Sequence, residues 1–361
     1  MDQPTLCFDA HLDLAWNAIE WNRDLQQPVS QVRAWEANFP DAVPGPCTVS
    51  WPELRRGRFG IVIGTLLARL HRSQSPLTFY RTNEAASAAC RGQQYYYELL
   101  ERQGALRVIG SADELRRQRD EWLAATAEDA LDDTPIGLIQ SMEGAWGILR
   151  PADVGEWFER GLRIVGPAHY GPNQYCHGTG SEGGLTAAGR ELLREMHQVG
   201  MLLDVTHLAD QSFWEALDAF PGRVLASHHN CRALVPGDRQ LDDRQIEALL
   251  QRKAVIGVAF DCWMLSPGWV RKVSSPEDVS MRQVADHIDH ICQLAGHCRA
   301  VGLGTDLDGG FGKEQTPHDI DTIADVPVRL GEELRRRGYS EEDLRRIFAD
   351  NWIEFFLDAW S

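Results

Sequence analysis

Residues 7–13 read CFDAHLD, a short apolar run that ends in a histidine and an aspartate. Four more runs of this form occur along the chain: IGLIQSME at 136–143, MLLDVTH at 201–207, VLASH at 224–228 and VGLGTD at 301–306. A strand of a parallel barrel has this pattern when it delivers a side chain to the catalytic face. Because histidines and carboxylates alternate at the ends of these runs, they predict a metal site assembled from distant parts of the chain.

Eight apolar runs can form strands, which is the number that a (β/α)8 barrel requires. They are Leu6–Ala10, Gly60–Leu67, Ile136–Met142, Leu162–Pro167, Met201–Val205, Arg223–Ser227, Ala254–Phe260 and Ala300–Gly304. Amphipathic stretches with helical spacing lie between several of them, at Leu185–Val199, Asp242–Arg252, Met281–Gly296 and Val326–Gly338. The alternation predicts an α/β fold, a TIM-type (β/α)8 barrel that spans residues 1–361 as a single domain.

Two segments depart from the simple alternation. The long gap between the second and third barrel strands holds a predicted helix at Thr82–Glu101, a short apolar run at Leu106–Ile109 and a charged helix near Ala112–Ala125. We expect this gap to be an insertion in the barrel. Ser340–Trp360 begins with an acidic capping box and predicts a C-terminal closing helix. A doubly wound open sheet is the alternative fold, but the Gly-Leu-Gly at 302–304 does not continue as GxGxxG.

The composition excludes several classes of partner. The 36 basic and 53 acidic residues give a net charge of −17, which argues against nucleic acid or an anionic membrane surface. No apolar window is long enough to span a bilayer, and the first residues lack the charged start and apolar core of a signal peptide. The eight cysteines contain no CxxC pair, and we expect them to be reduced thiols of a cytoplasmic protein.

Three residues at the ends of the first and third predicted strands can ligate metal. His11 and Asp13 are two residues apart, so in an extended chain both side chains project to the same side and can reach one ion. Taken alone, HxD is a common pattern without function. Glu143 can bridge two cations with its two oxygens, and its alternative role is an exposed loop glutamate.

His207 and His228 end consecutive predicted strands, and neutral imidazoles suit zinc and related ions. A single histidine at a strand end is more often a packed, hydrogen-bonded residue, whereas two in succession beside acidic positions favour a metal site. Strand alternation allows only one of His228 and His229 to face inward, and the residue pattern does not decide between them.

Two further groups of polar residues need an interpretation. Asp306-Leu-Asp308-Gly309 loosely resembles a calcium loop, but the later ligand positions and the terminal glutamate are missing. Asp306 can accept a proton at the strand end, whereas Asp308 is expected to turn the chain with the glycines that follow. His287 and His290 lie three apart on a predicted helix and are interpreted as part of a solvated face. The sequence contains no HExxH, GxSxG or P-loop motif.

The ordered set HxD, MEG, DVTH, ASHHNCRAL and GTDLDGG resembles the membrane (renal-type) dipeptidase family, zinc peptidases of the amidohydrolase superfamily. The match runs from the first strand to the region of Asn351, and it includes the Gly-Leu-Thr phrase at 184–186. The resemblance implies a (β/α)8 barrel that holds two zinc ions per chain. By motif position, the implied ligands are His11 and Asp13 for one ion, His207 and His228 for the other, and Glu143 as the bridge.

The same resemblance implies roles for three more residues. Asp306 falls where the family has its proton-handling carboxylate, and His169 falls where the family contacts the scissile carbonyl. Arg239 lies eleven residues after His228, where the family has the arginine that receives the free carboxylate of the substrate. The segment Tyr170–Gly184 and the loop after Asp261 are expected to line the substrate pocket.

The predicted function is a binuclear zinc dipeptidase that hydrolyses short peptides with a free C-terminal carboxylate and tolerates a D-residue at the second position. Asp306 would move the proton, His169 would donate to the oxyanion and Arg239 would bind the carboxylate. The expected partner is a small-molecule dipeptide, with neither nucleic acid nor membrane, and a homodimer is left open. The alternatives are an amidohydrolase that acts on N-acyl amino acids, lactams or lactones, and a non-catalytic barrel that serves as a scaffold or binding protein. The filled ligand positions argue against the non-catalytic alternative.

Overall fold

The computed structural model describes residues 4–39, 44–70, 79–127 and 130–361. Within these residues, nine strands form one sheet in which every pairing is parallel. The strands are β1 Cys7–Leu12, β2 Phe59–Leu67, β3 Leu106–Val108, β4 Ile136–Glu143, β5 Leu162–Gly166, β6 Leu202–Asp204, β7 Val224–Leu225, β8 Ile256–Val258 and β9 Val301–Leu303.

Eight of these strands form a barrel, in the order β7-β6-β5-β4-β2-β1-β9-β8. The barrel closes between β7 and β8, where Ala226 pairs with Ile256. Ala226 N donates to Val255 O at 3.1 Å, and Gly257 N donates to Ala226 O at 2.8 Å. The predicted (β/α)8 barrel is therefore confirmed, and each of the eight predicted runs overlaps one barrel strand.

Regular strand pairing ends earlier than the apolar runs predict, most clearly in β7. The predicted run Arg223–Ser227 is reduced to Val224–Leu225. Ser227 N donates to the carboxylate of Asp204 at 3.1 Å, and no backbone carbonyl takes this position. Since a side-chain acceptor replaces the ladder there, the regular strand stops just before the residues that carry chemistry.

Helices surround the barrel. In the described residues they are α1 Leu14–Glu20, α2 Val29–Glu36, α3 Trp51–Arg56, α4 Asn83–Arg102, α5 Ala112–Ala127, α6 Val154–Glu159, α7 Ala187–Val199, α8 Asp210–Ala219, α9 Asp243–Gln251, α10 Cys262–Leu265, α11 Met281–Ala295, α12 Val326–Arg336, α13 Glu341–Arg345 and α14 Asn351–Ala359. The four amphipathic stretches named from the sequence form α7, α9, α11 and α12. Side chains of Thr186, Asp242 and Ser280 cap the first three of these and satisfy amides that a helix leaves free at its start.

The insertion between β2 and β4 consists of α4, β3 and α5. Gln93 of α4 makes two hydrogen bonds to the backbone of Leu67. Its Oε1 accepts from Leu67 N and its Nε2 donates to Leu67 O, both at 2.7 Å. Tyr97 OH, one turn further along, donates to Thr65 O at 3.1 Å. β3 pairs with the first half of β4, while β5 pairs with the second half. The insertion thus covers β2 and extends the sheet as an integral part of the barrel.

The C-terminal segment is not one continuous α-helix as the sequence predicts. Five residues, Arg346–Asp350, form a π-helical turn between α13 and α14. Trp352 Nε1 then donates to Leu303 O at 3.0 Å, and a side chain at Gly302 would overlap this indole. Trp352 and Phe356 stack on Phe8 of β1. The segment thus packs against β1 and β9 through these rings.

All eight cysteines lie in the described residues as free thiols, seven of them buried. Among those residues, no helix combines the length and the apolar character that a membrane crossing requires.

Candidate metal centre

The six ionisable residues singled out at strand ends meet at the carboxyl end of the barrel. His11 and Asp13 come from β1 and the position after it, and Glu143 is the last residue of β4. The others follow the ends of β6, β7 and β9, as His207, His228 and Asp306. Five are buried and Asp306 is nearly so. The structure therefore brings all five predicted ligands and the predicted proton acceptor into one cluster.

Glu143, His207 and His228 form the first half of this cluster. Glu143 Oε1 lies 3.2 Å from His207 Nε2 and 3.3 Å from His228 Nε2, and the two imidazole nitrogens are 3.3 Å apart. Four ligand atoms at about 2.0–2.1 Å from a tetrahedral zinc are separated by about 3.3 Å along each edge. The three atoms thus have the separations of three corners of a zinc tetrahedron.

The other oxygen of Glu143 faces the second half of the cluster. His11 Nε2 lies 3.8 Å from Glu143 Oε2, 3.9 Å from Asp13 Oδ1 and 3.7 Å from Asp306 Oδ1. These separations are wider than a tetrahedral edge and suit ligands spread farther apart around an ion. Because each Glu143 oxygen faces a different histidine group, this carboxylate has the geometry of a bridge between two ions.

Burial shifts the pKa values of the two aspartates and the three histidines of the cluster. Burial, and next the charge of Glu143, raises the pKa of Asp13 to about 8. Burial, and next the charges of Glu143 and Asp13, raises the pKa of Asp306 well above its usual range. Burial also lowers the pKa of the three histidines well below the usual value, so they stay neutral. Neutral imidazoles are the form that binds metal, and nearby cations would let the carboxylates keep their charge.

Hydroxyl groups lie within hydrogen-bonding distance of Nδ1 in all three ligand histidines. Ser227 Oγ lies 2.9 Å from His228 Nδ1, 3.4 Å from His11 Nδ1 and 3.3 Å from Thr206 Oγ1. A hydroxyl has one proton and two lone pairs, so Ser227 can accept from both rings and donate to Thr206. Each ring then carries its proton on Nδ1 and presents a bare Nε2 to the cluster. Sequence reasoning missed Ser227, although it directly precedes His228.

His207 has a similar partner. Thr179 Oγ1 lies 3.0 Å from His207 Nδ1 and can donate its own proton to His207 O at 3.4 Å. The hydroxyl lone pair is then free to accept from Nδ1, and His207 Nε2 is left bare. The hydroxyl partners thus allow all three histidines the tautomer that metal ligation needs.

Two buried carboxylates, which we call the clamps, hold the strands that carry the ligands. Asp9 accepts from His11 N and Thr305 N, both at 3.0 Å, so it joins β1 to the end of β9. Asp204 accepts from Thr206 N at 3.0 Å and Ser227 N at 3.1 Å, so it joins β6 to β7. Burial raises the pKa of Asp9 to about 6. Asp9 therefore fixes the strand ends that carry His11 and Asp306. Asp204 fixes the strand ends that carry His207 and His228.

Backbone conformation also sets the side-chain direction of two site residues. His207 and Asp306 have φ of +67° and +57°, the left-handed region that side chains other than glycine seldom adopt. Such a turn directly after a strand points the side chain across the barrel mouth, where it would otherwise follow the strand direction. Strained backbone of this kind concentrates at functional sites.

Arg239 and His169 lie at the same pocket as the cluster, together with Tyr170 and Trp263. Arg239 is buried, and its Nη2 donates to His228 O at 2.9 Å. Its Nη1 is buried without a hydrogen-bond partner among the described residues. A buried guanidinium nitrogen without a partner is unfavourable unless a ligand completes it. His169 Nε2 lies 3.7 Å from Glu143 Oε1, on the pocket side of the bridge.

The interpretation of Asp308 as a simple turn residue is incomplete. It does turn the chain, with a φ of +64°, but its carboxylate is buried. That carboxylate accepts from Thr48 N at 2.9 Å and Val49 N at 3.0 Å, and it lies 3.3 Å from Arg23 Nη1. Asp308 therefore anchors the segment around residue 48 to the loop that carries Asp306.

Two histidine interpretations are also decided by the fold. His287 was expected on a solvated face, but it is buried and its Nδ1 accepts from Cys231 N at 3.0 Å. His290 is partly exposed and pairs with Asp243 at 2.7 Å. His229 is buried, but among the described residues it is His228 that joins the possible metal-binding groups.

The residues fit divalent cations. Three sets of side chains offer ligand atoms within 4.8 Å of one another: His11, Asp13 and Glu143; Glu143, His207 and His228; and His11, His228 and Asp306. His11 Nε2 is buried and has no hydrogen-bond partner in the described part of the chain. Imidazole nitrogens with carboxylate oxygens are a donor set that zinc accepts.

Known proteins resemble this chain along its whole length. Residues 3–359 match the family model described as membrane dipeptidase (peptidase family M19). A protein from Klebsiella pneumoniae described as an uncharacterized protein in the pqqA 5′ region is 29% identical over 249 residues, 66% of this chain and 88% of that protein. Dipeptidase tcpJ of Claviceps purpurea is 30% identical over 245 residues, 66% of this chain, and the match spans 55% of the fungal protein.

Solved structures support the fold. A metallopeptidase from Rhodobacter sphaeroides, bound to a phosphinate mimic of the dipeptide L-Ala-D-Ala, superposes with a TM-score of 0.77 at 24% identity and covers 100% of both chains. A dipeptidase described as a metallopeptidase of family M19 gives the same TM-score of 0.77 and covers 98% of both chains. The family match extends over nearly every residue, and the strand ends hold a donor set suited to divalent cations. This chain therefore belongs to the membrane dipeptidase family, peptidase family M19, and is a metal-dependent hydrolase.

Proposed function

We propose that the protein is a two-zinc dipeptidase that cleaves dipeptides with a free C-terminal carboxylate and accepts a D-residue at the second position. The observation that carries the proposal is the pairing of the cluster with Arg239, whose buried Nη1 lacks a partner among the described residues. A guanidinium matches a carboxylate in a two-pronged contact. The L-Ala-D-Ala mimic bound by the Rhodobacter sphaeroides relative supports a D-residue at that position.

His11 and Asp13 would hold one cation, His207 and His228 the other, and Glu143 both. Cations bound there would polarise the peptide carbonyl and make a water molecule more acidic. Asp306 Oδ1 would take the proton of the attacking water and pass it to the departing amine nitrogen. His169 Nε2 would donate to the carbonyl oxygen as negative charge develops on it. Arg239 Nη1 would bind the terminal carboxylate, so chain length is limited from that end.

Substrate screening tests the proposal. Zinc-loaded protein is expected to hydrolyse L-Xaa-L-Xaa and some L-Xaa-D-Xaa dipeptides, and to act poorly on their C-terminal amides and on N-acyl amino acids. Turnover is measured by the release of free amino acids. Hydrolysis of N-acyl amino acids, lactams or lactones without any dipeptide activity would replace the proposal by the amidohydrolase alternative.

Elemental analysis should find about two divalent ions per chain in protein purified without chelator, because five ligands with one bridging carboxylate suit two ions. Zinc is the expected ion. The matched measurement uses protein dialysed against chelator and then reloaded. Absence of bound metal in the purified protein, together with no gain of activity on adding zinc, would contradict the binuclear site.

Ser227→Ala should weaken zinc binding by about 10–100-fold, the usual effect of removing a partner that orients ligand histidines. Ser227 Oγ contacts both His11 and His228, so its loss frees two rings at once. Competition with a coloured chelator measures the affinity. The control is Ser212→Ala, another buried serine, which bonds to Gly183 O and touches none of the site histidines. Equal zinc affinity in both variants would remove Ser227 from its proposed role.

A further inference from the structure

Arg69 is an arginine of the active-site pocket to which the roles above assign nothing. It follows β2, and its backbone carbonyl accepts from Tyr80 N at 2.8 Å. Its guanidinium stacks on the Phe79 ring, with Cζ 4.6 Å from the ring centroid, and the residue lines the pocket beside Glu143. Among the described residues, no carboxylate oxygen lies within 4 Å of its guanidinium nitrogens.

In the described part of the chain, the guanidinium of Arg69 makes a hydrogen-bond contact with His169. Arg69 Nη1 lies 3.3 Å from His169 Nδ1. A guanidinium can only donate hydrogen bonds, so Nδ1 must be the acceptor and must carry no proton. A neutral imidazole with a bare Nδ1 has its proton on Nε2. Arg69 therefore selects one of the two tautomers of His169.

This tautomer is the opposite of the one that ligation through Nε2 requires of the three ligand histidines. Their Nδ1 atoms face hydroxyls of Ser227 and Thr179, which can accept a proton and leave Nε2 bare for metal. His169 presents Nε2–H toward the pocket, 3.7 Å from Glu143 Oε1. A protonated nitrogen cannot ligate a cation but can donate to an oxygen. The group that contacts Nδ1 therefore distinguishes the two roles. A guanidinium at Nδ1 leaves a proton on Nε2 of His169, whereas a hydroxyl at Nδ1 lets Nε2 of the other three histidines bind metal.

We propose that Arg69 is a positioning residue that fixes His169 as the Nε2–H tautomer, so that His169 donates to the substrate oxygen and does not bind metal. This inference rests on the proposed function for the identity of that oxygen, while the tautomer itself is a property of the protein alone. The competing role for Arg69 is a direct contact with an acidic substrate side chain.

The first test is spectroscopic and needs no substrate. Protein labelled with nitrogen-15 in histidine, metal-free and zinc-loaded, is expected to show His169 with a protonated Nε2 and a bare Nδ1. His169→Asn identifies its signals by their absence. Arg69→Met should shift His169 toward a mixture of tautomers, and Arg69→Lys, which keeps a donor, should restore the wild-type signals. A protonated Nδ1 of His169 in the wild type overturns the proposal. Unchanged His169 signals in Arg69→Met also overturn it.

The second test uses kinetics on a dipeptide without acidic side chains. Arg69→Met should lower kcat by about 10-fold or more, since loss of one oxyanion donor costs about 10²–10³-fold, with KM changed by less than about threefold. In a His169→Asn background the same substitution should change kcat little, because its effect passes through His169. Additive effects, or a KM rise confined to dipeptides with acidic side chains, would assign Arg69 to the substrate.

Arg271→Met is the matched control. Arg271 is exposed and donates to the backbone carbonyl of Gly310, a residue that lines the same pocket, at 2.9 Å. Its removal takes away a nearby positive charge without touching the imidazole. If Arg271→Met reproduces the kinetic effect of Arg69→Met, general electrostatics explain both and the proposal fails. Absence of all dipeptide activity in the wild type would instead refute the proposed function, and the tautomer result would stand independently.

Discussion

Asp306→Asn should lower kcat by about 10²–10⁴-fold, the usual contribution of a group that transfers protons in the transition state. Asparagine keeps the size of the side chain but cannot take up the proton. The effect should lie toward the upper end because the same carboxylate would serve both the attack and the departure of the amine. Zinc content should stay close to two ions per chain, since the five ligand candidates are intact. Steady-state kinetics and elemental analysis on one preparation measure both quantities.

Asp308→Asn is the control for this experiment, and the structure changes what it should do. Asp308 carries a buried charge paired with Arg23 and bonded to two backbone amides, so removal of that charge should destabilise the fold by about 3 kcal/mol. The activity per folded molecule should fall much less than in Asp306→Asn. Thermal unfolding followed by circular dichroism separates the two effects. A larger kcat loss in folded Asp308→Asn than in Asp306→Asn would exchange the roles of these aspartates.

Arg239→Met should raise KM for dipeptides by at least about 30-fold, because truncating a buried, charge-assisted contact costs about 2–5 kcal/mol. The protein has a net charge of −17, so an anionic substrate needs a dedicated cation close to where it binds. The variant should also lose discrimination between a dipeptide and its C-terminal amide. Comparison of kcat/KM for the acid and the amide, in both proteins, measures this loss.

Two checks accompany the Arg239 variant. Arg239 Nη2 also donates to His228 O, so zinc content must be measured to separate carboxylate binding from damage to the ligand. Arg239→Lys keeps the charge without the planar fork and should give an intermediate KM. Equal turnover of a dipeptide and its amide by the wild-type protein would contradict carboxylate recognition by Arg239.

Much of the barrel and the cluster is predictable because strand ends carry their own signal. A buried parallel strand is a nearly continuous apolar run, so a histidine or carboxylate directly after it is visible in the sequence. Glu143 and Asp306 illustrate this, since each ends or follows such a run and faces the cluster. Arg239 lies far beyond the end of β7, whereas His169 follows β5 as closely as His207 follows β6. The roles of both His169 and Arg239 came from the family resemblance.

The partners of the site residues were not predictable, because they depend on which strands become neighbours. Ser227 contacts His11 across 216 positions of sequence, and Thr305 bonds to Asp9 across 296. Nothing in the local pattern around any of these residues encodes such a contact. Burial of His287 has a similar cause, since the backbone of a distant loop supplies its partner. Helical periodicity predicts the face of the helix on which a residue lies. It does not predict which other segment of the chain packs on that face.

The two clamps have a consequence for how the protein gains and loses metal. Asp9 and Asp204 hold the ligand strands through bonds to backbone amides, and none of these bonds involves a cation. We therefore expect the strand ends to keep their positions without metal, so that little conformational entropy is lost when ions bind. Exchange of ions should then require only that the pocket opens, without unfolding of the barrel. Chelation should accordingly yield a compact, folded apoprotein that zinc restores without passing through an unfolded chain.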